Sequence, residues 1–356
     1  MRPWRRRSLG TVVLAAATAT VLALSGCGAV ASKDQTHLKI AGIFPASHIA
    51  STAGVDVFTE ELANGPGKPI DAEYWPSGQL GTVGDLTSLT RTGALDIVSV
   101  LPPNQSDIVP LAGVSDLPGF DPDTCVTSLA LMRLLKPGGI IYEDEFEPLG
   151  LIPLWVGSVT KYEIWTANKQ VRSPEDLRGM SIRSGGGVMD STVSALGGSP
   201  VAIPSSDVFE SLQRHTIDGA AFPASSIGTY SLQDVVKYAT KGIGVGSGSW
   251  IFSMSADAFN DLEPEQQENI RAAADKTGRA QCEGIRADDK AAEKTLAESD
   301  VEFTELTDAE SKAFSKNMPE IQQKWADGLD AIGKPGSETL QAYAEAVKAQ
   351  EKEEGL

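Results

Sequence analysis

The chain has 356 residues, with 48 acidic against 30 basic side chains and a net charge of −18 at neutral pH. So acidic a surface disfavours nucleic acid and anionic lipid as partners. The three histidines (His37, His48, His215) and three cysteines lack metal-ligand spacing, so no zinc and no other cofactor is expected.

Arg2, Arg5, Arg6 and Arg7 head an uncharged run from Leu9 to Leu24. This is the layout of a secretory signal. Leu24-Ser25-Gly26-Cys27 closes it and resembles a bacterial lipobox, in which Cys27 becomes the lipidated first residue. Residues 1–26 then form the signal peptide and 27–37 a tether. An ordinary cleaved signal with an incidental cysteine is the alternative, and the consecutive arginines also permit twin-arginine export. Removing the first 26 residues takes the net charge from −18 to −22. The remainder is long enough for two lobes with separate cores and holds no second apolar run of the ~18 residues that a span needs. Outside the membrane Cys125 and Cys282 are free to form one disulfide; two buried thiols are equally compatible with the sequence.

Along the chain, Leu38–Phe44 reads as a strand ended by Pro45, and Val55–Leu62 has helical spacing. Ile70–Trp75 alternates as a second strand, Asp85–Thr92 is a short helix, and Ala94–Val100 is a third strand. Leu149–Val156 and Tyr162–Ala167 are short and strand-like. Ser173 caps a turn with Pro174 at its first position. Met180–Arg183 is a strand, after which Gly185-Gly186-Gly187 opens a helix ending near Gly197. Val201–Ile203, a helix capped by Ser206, and the glycine-rich passage Gly242–Gly248 precede the strand Trp250–Met254. A long helix runs from Glu265 to about Ser299, and shorter ones cover Asp308–Ile332 and Ser337–Gln350. Helices alternating with short apolar strands predict an α/β fold with mostly parallel strands.

No nucleophile elbow, HExxH or phosphate loop is present, and the triple glycine lacks dinucleotide-site spacing. Acidic pairs such as Glu143 with Glu145, or Glu60 with Glu61, read as solvated faces. Arg183 is more telling. It stands at a strand end before a glycine loop and a helix start, and a guanidinium pairs bidentately with a carboxylate. Strand ends in open α/β sheets are where ligands bind. From the residues alone, a structural ion pair fits Arg183 as well as a ligand clamp does.

Ser173-Pro174-Glu175-Asp176-Leu177-Arg178-Gly179-Met180-Ser181-Ile182-Arg183 is similar to the "peDlkGlkiR" segment of the DctP-type solute receptors of TRAP transporters. Asp207-Val208-Phe209 with Ser211-Leu212-Gln213 and Ile217-Asp218-Gly219 resembles that family's "EvY.aLq…vDG" stretch. Tyr74 to Gly81 resembles "yPsgqLG", Gly93 to Ile97 resembles "G.lDm", and Val109 to Pro118 resembles "vPe…dlP". The matches lie in order along nearly the whole chain beyond the signal.

The resemblance implies a two-lobed periplasmic-binding-protein-like fold crossed by a long helix. Lobe I would be 38–158 and 248–286, and lobe II 159–247 and 287–350. It implies capture rather than catalysis: a monomeric receptor, not an enzyme, that closes on an organic carboxylate and delivers it to an ion-gradient-driven membrane permease. Arg183 occupies the family's carboxylate-binding position. Glu163 stands where a second arginine is common, with Lys161 the nearest cation. Phe222 replaces a polar asparagine, and Ser205 replaces an aromatic residue. These departures predict a monocarboxylate with an apolar or aromatic body. Further pocket candidates are His48, Asn104 and Tyr162, whereas Trp155 and Trp165 read as core and Gln79 as ordering its own turn. A lipoprotein that senses a solute for a membrane signalling partner is a second class, and a secreted hydrolase a third.

Overall fold

The computed structural model describes residues 36–120, 123–159 and 162–356. Two mixed sheets organise it. The first contains β1 (Thr36–Ala41), β2 (Ile70–Trp75), β3 (Ile97–Val100), β4 (Leu151–Val159) and β10 (Gly248–Ser255), in the order β2-β1-β3-β10-β4. The second contains β5 (Tyr162–Thr166), β6 (Ser181–Ser184), β7 (Ser199–Ala202), β8 (Gly219–Pro223), β9 (Tyr238–Lys241) and β11 (Glu302–Glu305), in the order β11-β9-β5-β8-β6-β7. The predominantly parallel expectation holds apart from one reversed strand in each sheet. β10 runs antiparallel to β3 and β4, and β5 runs antiparallel to β8 and β9. These reversals accompany the crossings: β4 leads to β5 in the other sheet, and β9 leads back to β10.

Each sheet is covered on both faces, which explains why its inner strands β3, β4, β8 and β10 are buried along nearly their whole length, whereas the outer strand β2 alternates. On one face of the first sheet, Ile40, Phe58, Trp155 and Phe252 pack with Ile270 and Ala273; on the other, Val98 and Leu131 pack with Tyr343 and Val347. In the second sheet, Ile182 and Val193 pack with Phe314 on one face, and Trp165 and Leu212 with Leu296 on the other. The 34-residue helix Pro264–Ala297 joins the lobes. Its Ile270 and Ile285 belong to the first-lobe core and its Leu296 to the second.

Three expectations are corrected. The expectation places 287–350 in the second lobe, yet only its first part packs there, through Leu296, Val301, β11 and Phe314. The last helix, Gly336–Glu354, lays Tyr343, Ala346 and Val347 against the helix Thr124–Leu134 of the first lobe, because its apolar residues at three- and four-residue spacing match that surface. Glu145, read as solvated, is 2 % exposed. Its carboxylate accepts hydrogen bonds from Leu111 N (2.6 Å) and Ala112 N (3.1 Å), at the start of the short helix Leu111–Asp116. β1 begins at Thr36, inside the stretch taken as tether.

Cys125 and Cys282 form a disulfide, with Cα atoms 4.8 Å apart. The bridge fastens Thr124–Leu134 to the long helix. Beside it, Arg286 pairs bidentately with Asp123 and also with Glu354, and Arg279 reaches Glu354. Among the described residues, no helix is long and apolar enough to cross a membrane.

Candidate functional site

Arg183 lies on β6 between Ile182 and Ser184, and its register neighbours are Val201 on β7 and Ala220 on β8. Its side chain is 4 % exposed and enters a small cavity between the lobes. Nε donates to Ile203 O at 3.1 Å, Nη1 to Ala221 O at 3.3 Å and Nη2 to Ser205 Oγ at 3.2 Å, and the Tyr162 hydroxyl is a further hydrogen-bond partner. A guanidinium has five donors in a rigid fork, so these four partners leave one for a ligand. The Phe222 ring lies 5.0 Å from the guanidinium carbon, in cation–π geometry.

No ion pair joins Arg183 to a carboxylate among the described residues. Asp190 raises its pKa through space, but that carboxylate is engaged by the Ser184 hydroxyl. Burial is the dominant influence and pushes the Arg183 pKa down, while the Tyr162 and Tyr230 hydroxyls beside it push the other way. Arginine nevertheless stays charged. A buried cation with only neutral protein partners is an unfavourable arrangement that an anion in the cavity would relieve.

The cavity is about 60 Å³, several times the roughly 10–15 Å³ that admits one water. Tyr162, at the start of β5, sets its hydroxyl beside Gly248: a Cβ there would lie 2.5 Å from the Tyr162 oxygen. Burial raises the pKa of Tyr162 and pushes that of Tyr230 up to about 12, so both are hydrogen-bond donors at neutral pH. The far wall comes from the first lobe. Phe44 and His48 stack at 4.5 Å with 12° between their planes, and Trp250 closes on His48 at 5.8 Å.

Of the predicted residues, Arg183, Phe222, His48, Asn104, Tyr162 and Ser205 all border this one cavity. Lys161 and Cys27, the expected lipidation site, lie outside the described residues. Two roles differ in detail from the expectation. Ser205 accepts from Arg183 and so fixes the guanidinium. Asn104 spends its amide on the Gly185 carbonyl, 3.1 Å away, rather than leaving it free. Glu163 accepts from Gly242 N at 3.0 Å, on the passage between β9 and β10. Trp155 and Trp165 are core residues, the latter donating from Nε1 to Phe222 O at 2.8 Å. Sequence reasoning missed Phe44, Tyr230 and Trp250 as cavity walls. The only available signal was for Phe44, four residues before His48 in the loop after β1.

The triple glycine now has a physical explanation. A Cβ on Gly186, whose φ is +94°, would meet Pro103 O at 2.7 Å. The turn Pro102–Asn104 of the first lobe therefore sits directly on the loop that follows Arg183. Gln105 fixes that turn, accepting from Leu101 N at 3.1 Å and donating to Thr87 Oγ1 at 2.7 Å.

Two α/β lobes joined by crossing strands and closed over a small polar-and-aromatic cavity have the architecture of a solute-binding protein. The chain belongs to the bacterial extracellular solute-binding protein family 7, the DctP family, whose model matches residues 41–328. It is 27 % identical over 281 residues to the ectoine-binding periplasmic protein TeaA of Halomonas elongata, covering 78 % of this chain and 80 % of TeaA. It is 25 % identical over 356 residues to the C4-dicarboxylate-binding periplasmic protein DctP of Rhodobacter capsulatus, covering 96 % and 98 %. A TRAP periplasmic solute-binding protein of Bordetella bronchiseptica, solved with bound (R)- and (S)-mandelate, superposes with a TM-score of 0.77 at 25 % identity, covering 88 % of this chain and 99 % of that one. The protein is accordingly an extracytoplasmic receptor of the TRAP type.

Proposed function

We propose that this receptor captures a small organic monocarboxylate with an apolar or aromatic body and hands it to a TRAP-type permease driven by an ion gradient. The carrying observation is Arg183, a buried guanidinium that faces the interlobe cavity and has no carboxylate counter-ion among the described residues. A carboxylate placed there gains charge-assisted hydrogen bonds from Arg183, with Tyr162 and Tyr230 hydroxyls close by. Phe44, Phe222 and Trp250 favour a flat or apolar body, and the small volume excludes a bulky one. The bound mandelate of the Bordetella bronchiseptica protein, an aryl acid, supports the same class. Calorimetric titration with benzoate, mandelate, branched-chain acids and succinate tests this: aryl or branched acids should bind, and a response to succinate alone would refute it.

Export follows residues 1–26, and Cys27 carries the lipid that holds the protein at the outer face of the membrane. The Cys125–Cys282 bridge suits that oxidising location. Expressed with its own signal, Cys27→Ser should shed protein into the medium or periplasm while the parent remains in the membrane fraction. Equal partitioning of both would count against lipidation.

A further inference from the structure

The two walls of the cavity carry different polar equipment. The second lobe supplies the cation Arg183 with its hydroxyl neighbours. The first lobe supplies His48, 4 % exposed and held face to face with Phe44. Its Nδ1 accepts a hydrogen bond from Ala50 N at 3.0 Å. An imidazole nitrogen that accepts carries no proton, so the proton of the neutral ring is on Nε2. Nε2 has no protein partner among the described residues, and the ring borders the cavity. Burial holds the ring neutral by lowering its pKa to about 4. His48 is thus a fixed, uncharged donor. Aromatic rings fill the interval between the two poles: Phe222 lies under Arg183, Tyr230 meets Phe222 edge-on at 5.6 Å, and His48 lies 6.3 Å from Tyr230.

We infer that His48 is a specificity-determining residue, and that the ligand is a small carboxylate bearing a hydroxyl or keto oxygen remote from its carboxylate, which accepts from His48 Nε2. This rests on the carboxylate reading of Arg183 and adds the second pole. Such a ligand touches both lobes with polar groups, so its oxygen contributes to closure as well as to affinity. An unsubstituted acid leaves the Nε2 donor unpaired in a closed cavity, which is unfavourable by an amount comparable to a lost hydrogen bond.

The test titrates the full mature chain with matched pairs of acids: benzoate against its hydroxy isomers, and pentanoate against its oxo isomers. At least one oxygenated acid should bind about 10-fold more tightly than its unsubstituted twin, the factor of one well-made hydrogen bond. His48→Phe keeps a ring on Phe44 but removes the Nε2 donor, together with the Nδ1 acceptor of Ala50 N, and it should reduce that ratio to about one while still binding the unsubstituted acid. His48→Gln, which can place an amide N–H near the old Nε2, should restore part of the preference. Retained binding of the unsubstituted acid and a cooperative melting transition, lowered in His48→Phe by the loss of the Ala50 N acceptor, show that the variants fold. A preference that survives in His48→Phe, or no preference in the parent, overturns the His48 assignment and leaves Arg183 standing. If no acid of any kind binds the parent, both readings fall together.

Discussion

Asn104 donates a hydrogen bond from its side-chain amide to the Gly185 carbonyl oxygen, 3.1 Å away, across the cleft between the lobes. Gly185 is two residues beyond Arg183, so the first lobe touches the second beside the cation that faces the ligand. Closure and binding are thereby placed on the same short stretch of chain.

Gly186→Ala tests that coupling. The added methyl would lie 2.7 Å from Pro103 O, at a φ of +94° that alanine rarely adopts. The lobes should fail to seat, and ligand affinity should fall by about 10-fold or more. Calorimetry gives the affinity, and small-angle scattering should show a ligand-bound variant more extended than the parent. Asn104→Ala removes one part-buried hydrogen bond and should weaken binding only about 2- to 10-fold.

Asp116 sets a pH dependence. Burial pushes its carboxyl up to about 8, against hydrogen bonds from Ser249 and Ser115 that pull it down. The folded state therefore binds a proton that the unfolded chain, titrating near 3.8, has already released. This contribution is present in full below about pH 4 and is lost as pH rises through 8. Glu145, raised to about 7 by burial, acts in the same direction. His48, lowered to about 4, opposes them between about 4 and its ordinary 6.5 and adds no slope above that. Stability should therefore fall from pH 6.5 to 8, by about 1.4 kcal/mol per pH unit for each proton linked. Asp116→Asn keeps the acceptor for Ser249 N and Oγ and should flatten most of this slope in urea melts.

The disulfide closes a separation of 157 residues. In the chain-entropy account a loop of this size stabilises by up to about 5 kcal/mol. Reducing it, or making the Cys125→Ser, Cys282→Ser double variant, should lower the urea midpoint strongly. Ligand affinity should change little, because the bridge fastens the helix Thr124–Leu134 to the long helix and does not border the cavity.

How much was legible follows physical lines. β1, β2, β6 and the long helix were readable because their apolar periods are local and their ends carry turn residues or Pro264 at the first helical position. The helix Thr124–Leu134 left no stripe, since the sheet, the long helix and the last helix bury nearly all of its sides. The last helix did show its stripe, but a stripe does not say which lobe it will meet. Arg183 was readable from its strand-end position and the surrounding motif. Phe44, Tyr230 and Trp250 were not, because they come from a loop, a short turn and a strand far apart in the chain, and only folding brings them to one wall.

Ligand capture centres on the Arg183 guanidinium, and its most direct measurement is mass spectrometry of the small acids that copurify with the parent and with Arg183→Ala. Calorimetry of the same two proteins with the acid so identified completes it. The parent should carry a stoichiometric monocarboxylate, and the variant should fold normally, elute empty and bind that acid at least about 100-fold more weakly, as expected when a buried carboxylate loses its charged partner. A folded Arg183→Ala protein that retains the acid with undiminished affinity would contradict the account.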